Sequence, residues 1–310
     1  MERIGETIGR LSNQKDFLKR HELLKNQILN DPYVRDFIHK HRDELGPTAI
    51  DKGLSKLYEF ISQSKECQDC QSLDQCKNML KGYSPTLVIR NHMIDIQYDK
   101  CPKKVMEDER RMHENLIHSL YVPKEILRAS FSDLHVDKGR FKAIQAAKEF
   151  VDHYHPDQWS KGIYLHGPFG TGKTYILGAI ANELALRKIS SLIVYVPEFL
   201  REIKSSIGED NINQKIDLIK KAPILMMDDI GAESMTSWTR DEILGTILQF
   251  RMMEKLPTFF TSNFNFHDLQ EHLTYSQRGE EEVVKAARIM ERIKYLSTPI
   301  LVEGPNRRLQ

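Results

Sequence analysis

The 310-residue sequence contains no apolar run approaching the ~20 residues that a helix needs to cross a bilayer, so no membrane-spanning segment is expected. Its opening, Met1-Glu2-Arg3-Ile4-Gly5-Glu6, has acidic residues and nothing of the signal-peptide type; a cytoplasmic protein with no membrane partner is expected. Charge of one sign is also lacking. With 45 Lys and Arg against 44 Asp and Glu the net charge is +1, which excludes a global basic field for nucleic acid and leaves only local DNA contacts open. Cysteine is scarce, with four residues that all lie between positions 67 and 101. In a reducing compartment such a cluster favours metal over disulfides. Internal repeats and low-complexity segments are absent, and the length suits two domains that each bury a core of ordinary size.

What is present divides near residue 104. Arg10 to Lys65 is charged and helical in pattern, with Phe17, Leu23, Leu24, Ile28, Val34, Phe37 and Ile38 near helical spacing, as in a small bundle. Leu87-Val88-Ile89-Arg90 and Ile94-Asp95-Ile96-Gln97-Tyr98 flank Asn91-His92-Met93 as a hairpin. Pro102 to Ser119, rich in Lys, Arg, Glu, His and Met, reads as an exposed helix or linker. The expected division is 1–104, a linker over 105–128, and a second domain over 129–310. In that second domain the strand candidates Gly162–His166, Leu192–Val196, Ile224–Asp228, Thr258–Ser262 and Ile300–Val302 alternate with helical patterns. The fold class is therefore α/β, a parallel sheet with helices on both faces, preceded by a small helical domain.

Gly167-Pro168-Phe169-Gly170-Thr171-Gly172-Lys173-Thr174 is a complete GxxxxGK[ST] phosphate loop between the first of these strands and a helix. Glycines let backbone N–H groups turn inward around a polyphosphate, Lys173 reaches the β and γ phosphates of ATP, and the Thr174 hydroxyl ligates Mg²⁺. The positive end of the following helix faces the same anion. Ile224-Leu225-Met226-Met227-Asp228-Asp229 has the Walker B pattern, an apolar strand ending in two acids. Asp228 would hold the Mg²⁺ shell while Asp229 orients or deprotonates the attacking water. Asn263, ending Thr258-Phe259-Phe260-Thr261-Ser262-Asn263, is placed either as a sensor amide or as an ordinary turn residue. Arg288 and Arg292, four apart on one helical face, form either an arginine finger aimed at a neighbour's nucleotide or a solvated basic face with Lys285 and Lys294.

These motifs together resemble the AAA+ helicase loaders, the DnaI type of primosomal protein related to DnaC, over nearly the whole chain. The resemblance is carried by the GPFGTGKT loop, by Leu225 to Glu233, by Thr261-Ser262-Asn263, and by Glu291-Arg292-Ile293 with Arg288 upstream. It implies an AAA+ ATPase that binds a hexameric replicative DNA helicase through its amino-terminal domain and loads it onto single-stranded DNA. It also implies self-association through the ATP site, with Arg292 acting in trans and Arg288 in support. Little chain follows Asn263, so a separate four-helix lid does not fit, and hydrolysis by an isolated monomer is expected to be weak.

Cys67 and Cys70 form a CxxC knuckle, followed by Cys76 and Cys101. Four thiolates suit tetrahedral Zn²⁺, and a hairpin between Cys76 and Cys101 would bring the last ligand back. Four unrelated buried cysteines are the alternative. The family's zinc module is associated with a His in a GYxP segment, which here reads Gly82-Tyr83-Ser84-Pro85, so Ser84 contributes nothing and His92 stands in reserve. In loaders and initiators an extra helix over the region of Pro197 to Lys221 contacts single-stranded DNA. Lys204, Lys215, Lys220 and Lys221 lie there, interleaved with Glu202, Glu209, Asp210 and Asp217, which weakens the electrostatic case. Trp238 and Phe250 fit a core better than a base-stacking platform. Two further functions fit the loop: a transposition helper ATPase of the IstB type, which would not share the zinc module, and an adaptor that binds nucleotide without hydrolysing it.

Overall fold

A computed structural model describes residues 19–63, 70, 72–205, 211–233, 235–275 and 282–307. The chain forms two compact units, Met1–Arg110 and Arg111–Gln310.

In the first unit, residues 19–29 form helix α1, followed by α2 (Pro32–Lys40) and α3 (Ala49–Ile61). Asp31 starts α2: its carboxylate accepts from Tyr33 N–H at 3.0 Å and Val34 N–H at 3.2 Å, with proline in the first turn. Such a cap contributes about 1 kcal/mol. Strands β1 (Tyr83–Arg90) and β2 (Met93–Lys100) pair antiparallel from Tyr83↔Lys100 to Arg90↔Met93. Asn91 and His92 close them as a two-residue turn with φ of 50° and 60°, the geometry that matches strand twist. The hairpin is thus longer and its turn tighter than the sequence pattern suggested. Its inward residues Leu87, Ile94 and Ile96 join Ile28, Val34, Leu54, Leu57 and Phe60 in one core. Gly53 allows α3 to lie close on β2, since a Cβ there would sit 2.9 Å from that of Ile94.

The second unit is a six-stranded parallel sheet of order β3-β5-β6-β7-β4-β8. Its strands are β3 (Ile117–Leu120), β4 (Gly162–His166), β5 (Ser191–Tyr195), β6 (Ile224–Asp228), β7 (Thr258–Ser262) and β8 (Ser297–Leu301). The pleat sends Leu225 and Met227 into the core on one face and Ile224 and Met226 into the core on the other. Helices α5 (Phe141–His153) and α6 (Lys173–Leu186) cover the second face. Helices α7 (Val196–Ser205), α8 (Asn211–Lys221), α9 (Gly245–Met253), α10 (Phe266–Thr274) and α11 (Val283–Leu296) supply apolar residues to the first face, with a π-helical turn, Thr239–Leu244, leading into α9. Two-sided burial explains why these strands read as continuous apolar runs.

The linker expected over 105–128 is corrected. Its first part belongs to helix α4 (Pro102–Leu116), and β3 then pairs parallel with β5 at the sheet edge, Ile117↔Ser191 to Leu120↔Val194. A 3₁₀ turn, Ile126–Arg128, packs on α6, where Leu127 O accepts from Asn182 Nδ2 at 3.0 Å. Helix and strand pairing organise this stretch, in which no residue from 105 to 128 is buried, so α4 is the exposed helix that the composition of Pro102 to Ser119 also allowed. Trp238 is a second correction: at 39 % exposed it is no core residue.

Candidate nucleotide-binding and hydrolysis site

The phosphate loop leaves β4 and enters α6 at the carboxyl edge of the sheet. Gly167, Gly170 and Gly172 have φ of 137°, 75° and 89°, a left-handed backbone region that side chains rarely tolerate. Thr171 Oγ1 donates to Pro168 O at 3.0 Å and braces the loop. Lys173 is the first residue of α6, and its ammonium donates to Gly167 O at 2.7 Å, Pro168 O at 2.9 Å and Asn263 Oδ1 at 2.9 Å. The cation is therefore held at the loop's mouth by groups that a phosphate can replace.

β6 delivers Asp228 and Asp229 next to this loop. Thr174 Oγ1 donates to Asp228 Oδ1 at 2.9 Å, which sets side by side the two oxygens that fit an octahedral Mg²⁺ shell. Thr261 Oγ1 also donates to Asp228 Oδ1, at 2.6 Å, and accepts from Asp229 N–H at 2.8 Å. Burial pushes the Asp228 carboxyl above its usual range, and the Thr261 and Thr174 hydroxyls pull it back. Asp229 has φ of 61°, a conformation uncommon outside glycine and asparagine, and Asn263 Nδ2 donates to its Oδ1 at 3.0 Å. These residues line one cavity of about 630 Å³ that also takes in Phe169, Tyr175, Tyr195, Arg140 and Arg307.

Arg288 and Arg292 are not brought to this cavity. They line a separate cleft of about 300 Å³ with Asp241, Glu242, Lys285 and Ile289. Arg292 Nη1 donates to Gly245 O at 2.7 Å, and burial, then the charge of Arg288, lowers its guanidinium pKa. A finger acting within one subunit is excluded by this placement.

A family model described as "Primosomal protein DnaI N-terminus" matches residues 1–98, and one described as "Bacterial DnaA ATPAse domain" matches residues 128–272. The replicative helicase loader DnaI of Bacillus subtilis (strain 168) is 47% identical over 309 residues, 99% of each chain. This chain belongs to the DnaI family. A crystal structure of DnaI is 59% identical, covers 63% of this chain and 99% of its own, and superposes with a TM-score of 0.57. A putative primosome component from Streptococcus pyogenes serotype M3 is 37% identical over 64% of this chain and 99% of its own, with a TM-score of 0.54.

In this DnaI-family chain the cysteines fall in the first unit. Cys67 lies outside the described residues. Gly82 ties together two of the others: its N–H donates to Cys76 Sγ at 3.4 Å and its carbonyl accepts from Cys101 N–H at 2.9 Å. An amide aimed at sulfur suits a thiolate, and Cys101 is buried. Cys70 is oriented toward Ser72 O at 3.2 Å, and the three described thiols do not all lie within 4.8 Å of one another. His92 does not join the cysteines. It sits in the hairpin turn and its Nδ1 meets Glu44 O at 3.0 Å, while Cys101 follows the opposite end of β2.

Thr261, Arg140 and Arg307 belong to the cavity, yet sequence reasoning gave none of them a part in it. Thr261 was visible in the Thr-Ser-Asn triplet. The arginines had no signal, since only the folded chain places residues 140 and 307 beside the loop. The lysines of the DNA-contact candidate region are mostly engaged: Lys215 pairs with Glu202, and Lys220 and Lys221 both pair with Asp217.

Proposed function

We propose that this chain is an ATP-dependent loader that binds a hexameric replicative DNA helicase and places it on single-stranded DNA during initiation or restart of replication in the cytoplasm. The observation that carries the reading is likeness to a replicative helicase loader along both units, 99% of each chain, joined to a complete loop, acid-pair and amide constellation. The transposition-helper alternative leaves the match of residues 1–98 unexplained. The non-hydrolysing adaptor leaves unexplained why Asp229 is held in a strained conformation by Asn263.

In this reading Lys173 and the amides of Gly167 to Thr174 bind the polyphosphate of ATP, and Thr174 and Asp228 are the residues that would hold Mg²⁺, whose charge would offset that of the phosphates. Asp229 accepts a hydrogen bond from water and aligns it, and Asn263 fixes the carboxylate that does so. Arg292, with Arg288 beside it, completes the site of an adjacent copy, so self-association through the ATP site accompanies turnover. Cys67, Cys70, Cys76 and Cys101 take Zn²⁺ as a closed structural site that stiffens the helicase-binding unit.

The test is co-purification of the full chain with a replicative helicase, with and without ATP, beside Lys173→Ala. ATP-dependent helicase retention that Lys173→Ala abolishes supports the reading. A chain that never retains helicase under either condition would sink it.

A further inference from the structure

The chain that follows β8 does not leave the site. Val302 N–H donates to His166 O at 2.7 Å, Glu303 N–H to Gly139 O at 3.1 Å, and Arg307 N–H to Gly170 O at 2.9 Å. Residues 302–307 therefore run as a strap along the phosphate loop. Glycine permits the approach: a Cβ on Gly167 would lie 2.2 Å from Val302 O, and one on Gly170 would lie 1.9 Å from Asn306 Oδ1.

The strap carries Arg307 into the cavity that Arg140 enters from the start of α5. Arg140 is 2 % exposed. Its Nη1 donates to His135 O at 2.9 Å, but its Nε is buried without a hydrogen-bond partner, and among the described residues no carboxylate forms an ion pair with the guanidinium, although Asp137 Oδ1 accepts from the Arg140 backbone N–H at 3.1 Å. Arg307 Nη2 bonds Asp137, and its Nε is likewise buried and unpartnered. Burial, then the neighbouring charge of Arg307, lowers the Arg140 guanidinium pKa, and the Asp137 carboxylate opposes part of that. Among the described residues, two neighbouring cations thus have a single ion-pair partner, Asp137 on Arg307, and the guanidinium of the buried Arg140 is left to carbonyl contact alone, an arrangement that an added anion would complete. The position says which anion. Arg140 Nη2 would stand 2.9 Å from a Cβ on Gly172, the glycine that opens α6, where the helix dipole and loop amides already gather phosphate oxygens.

We propose that Arg140 and Arg307 are nucleotide-binding residues of the same subunit, gripping non-bridging phosphate oxygens of a bound nucleoside di- or triphosphate. The proposal rests on the nucleotide reading of the loop. It differs from the part proposed for Arg292, which acts on a neighbour's nucleotide.

The test uses the full chain and calorimetric affinities for ATP, ADP and adenosine in wild type, Arg307→Ala, Arg307→Lys and Arg140→Gln, with the nucleotide-free melting midpoint of each. Arg307→Ala is expected to lose about ten-fold or more in affinity for ATP and ADP, as a charge-assisted contact does, with adenosine affinity unchanged and a melting midpoint that shows the chain still folded. Arg307→Lys recovers part of the loss. Arg140→Gln shows the same phosphate-specific loss; should its burial prevent folding, Arg307→Ala alone decides. Unchanged ADP affinity, or a loss equal for ADP and adenosine, overturns the proposal and leaves the pair as a buttress. A wild-type chain that binds neither ATP nor ADP overturns the nucleotide reading itself, a result distinct from the others.

Discussion

Asn263 holds Asp229: its Nδ2 donates to the carboxylate Oδ1 at 3.0 Å, while its own Oδ1 is occupied by the Lys173 ammonium at 2.9 Å. Because the amide has one donor end and one acceptor end, this assignment is the one that satisfies both charged neighbours. Asn263 thus links the ammonium of the phosphate loop to the second acid after β6. In the proposed reading, a γ-phosphate that takes the ammonium would release the amide oxygen and alter the hold on Asp229.

Replacing Asn263 by Ala leaves ATP affinity within a few-fold of wild type and lowers hydrolysis about 10²-fold, the loss typical of removing one preorganised donor. Single-turnover phosphate release, measured beside calorimetric ATP affinity, separates the two effects. Equal losses in affinity and rate would make Asn263 a binding group only.

Arg292 lies outside the cavity of its own chain, so under the proposed trans role its removal lowers turnover where copies meet. Arg292→Ala retains ATP binding and loses about 10³-fold of stimulated turnover, the order associated with an arginine finger. It also deletes the bond to Gly245 O, at a cost of about 1 kcal/mol. Mixing Arg292→Ala with Lys173→Ala chains tests the geometry, since wild-type loops then meet intact arginines only across the mixed interface. Recovery of turnover on mixing is the expected result, and normal turnover by Arg292→Ala alone removes it from catalysis.

Zinc binding through Cys67, Cys70, Cys76 and Cys101 predicts about one metal ion per chain in carefully purified protein. Chelation should unfold the unit Met1–Arg110 and leave a cooperative melt for Arg111–Gln310. Metal analysis and calorimetric melts with and without chelator check this. Metal content well below one per chain, with an unaltered first transition, would eliminate the site.

How far the sequence could be read depended on where each signal lies. β4, β6 and β7 fall on the expected residues because all three are apolar runs buried on both faces. β3 was missed because Ile117-His118-Ser119-Leu120 is a short edge strand with two polar residues, and its pairing with β5 leaves no periodic trace. The loop and the acid pair are contiguous motifs and were legible as such. Thr261, which donates to Asp228 and accepts from the Asp229 amide, acts through an inter-strand register that only β6–β7 pairing creates. Arg140 and Arg307 are 167 positions apart and meet only because the strap returns to the loop.

Glu233 offers a pH-dependent prediction. It is 6 % exposed; Oε2 accepts from Gly231 N–H at 3.0 Å and Oε1 has no hydrogen-bond partner. Burial pushes its carboxyl from the ordinary 4.5 up to about 7; backbone amides of Glu233 and Gly231 oppose the rise and the charge of Asp229 adds to it. The folded chain therefore binds this proton more tightly than the unfolded chain does. The group favours folding fully below about pH 4.5, and that contribution is lost as pH rises through about 7, by up to about 3 kcal/mol. Glu233→Gln keeps an acceptor for Gly231 and removes the buried charge. Its melting midpoint at pH 8 should exceed wild type by about 5 °C or more, while at pH 5 the two should nearly coincide. An equal shift at both pH values would show that shape, not charge, governs the site, and a lower midpoint at pH 8 would show that the ionised carboxylate has a partner that stabilises it.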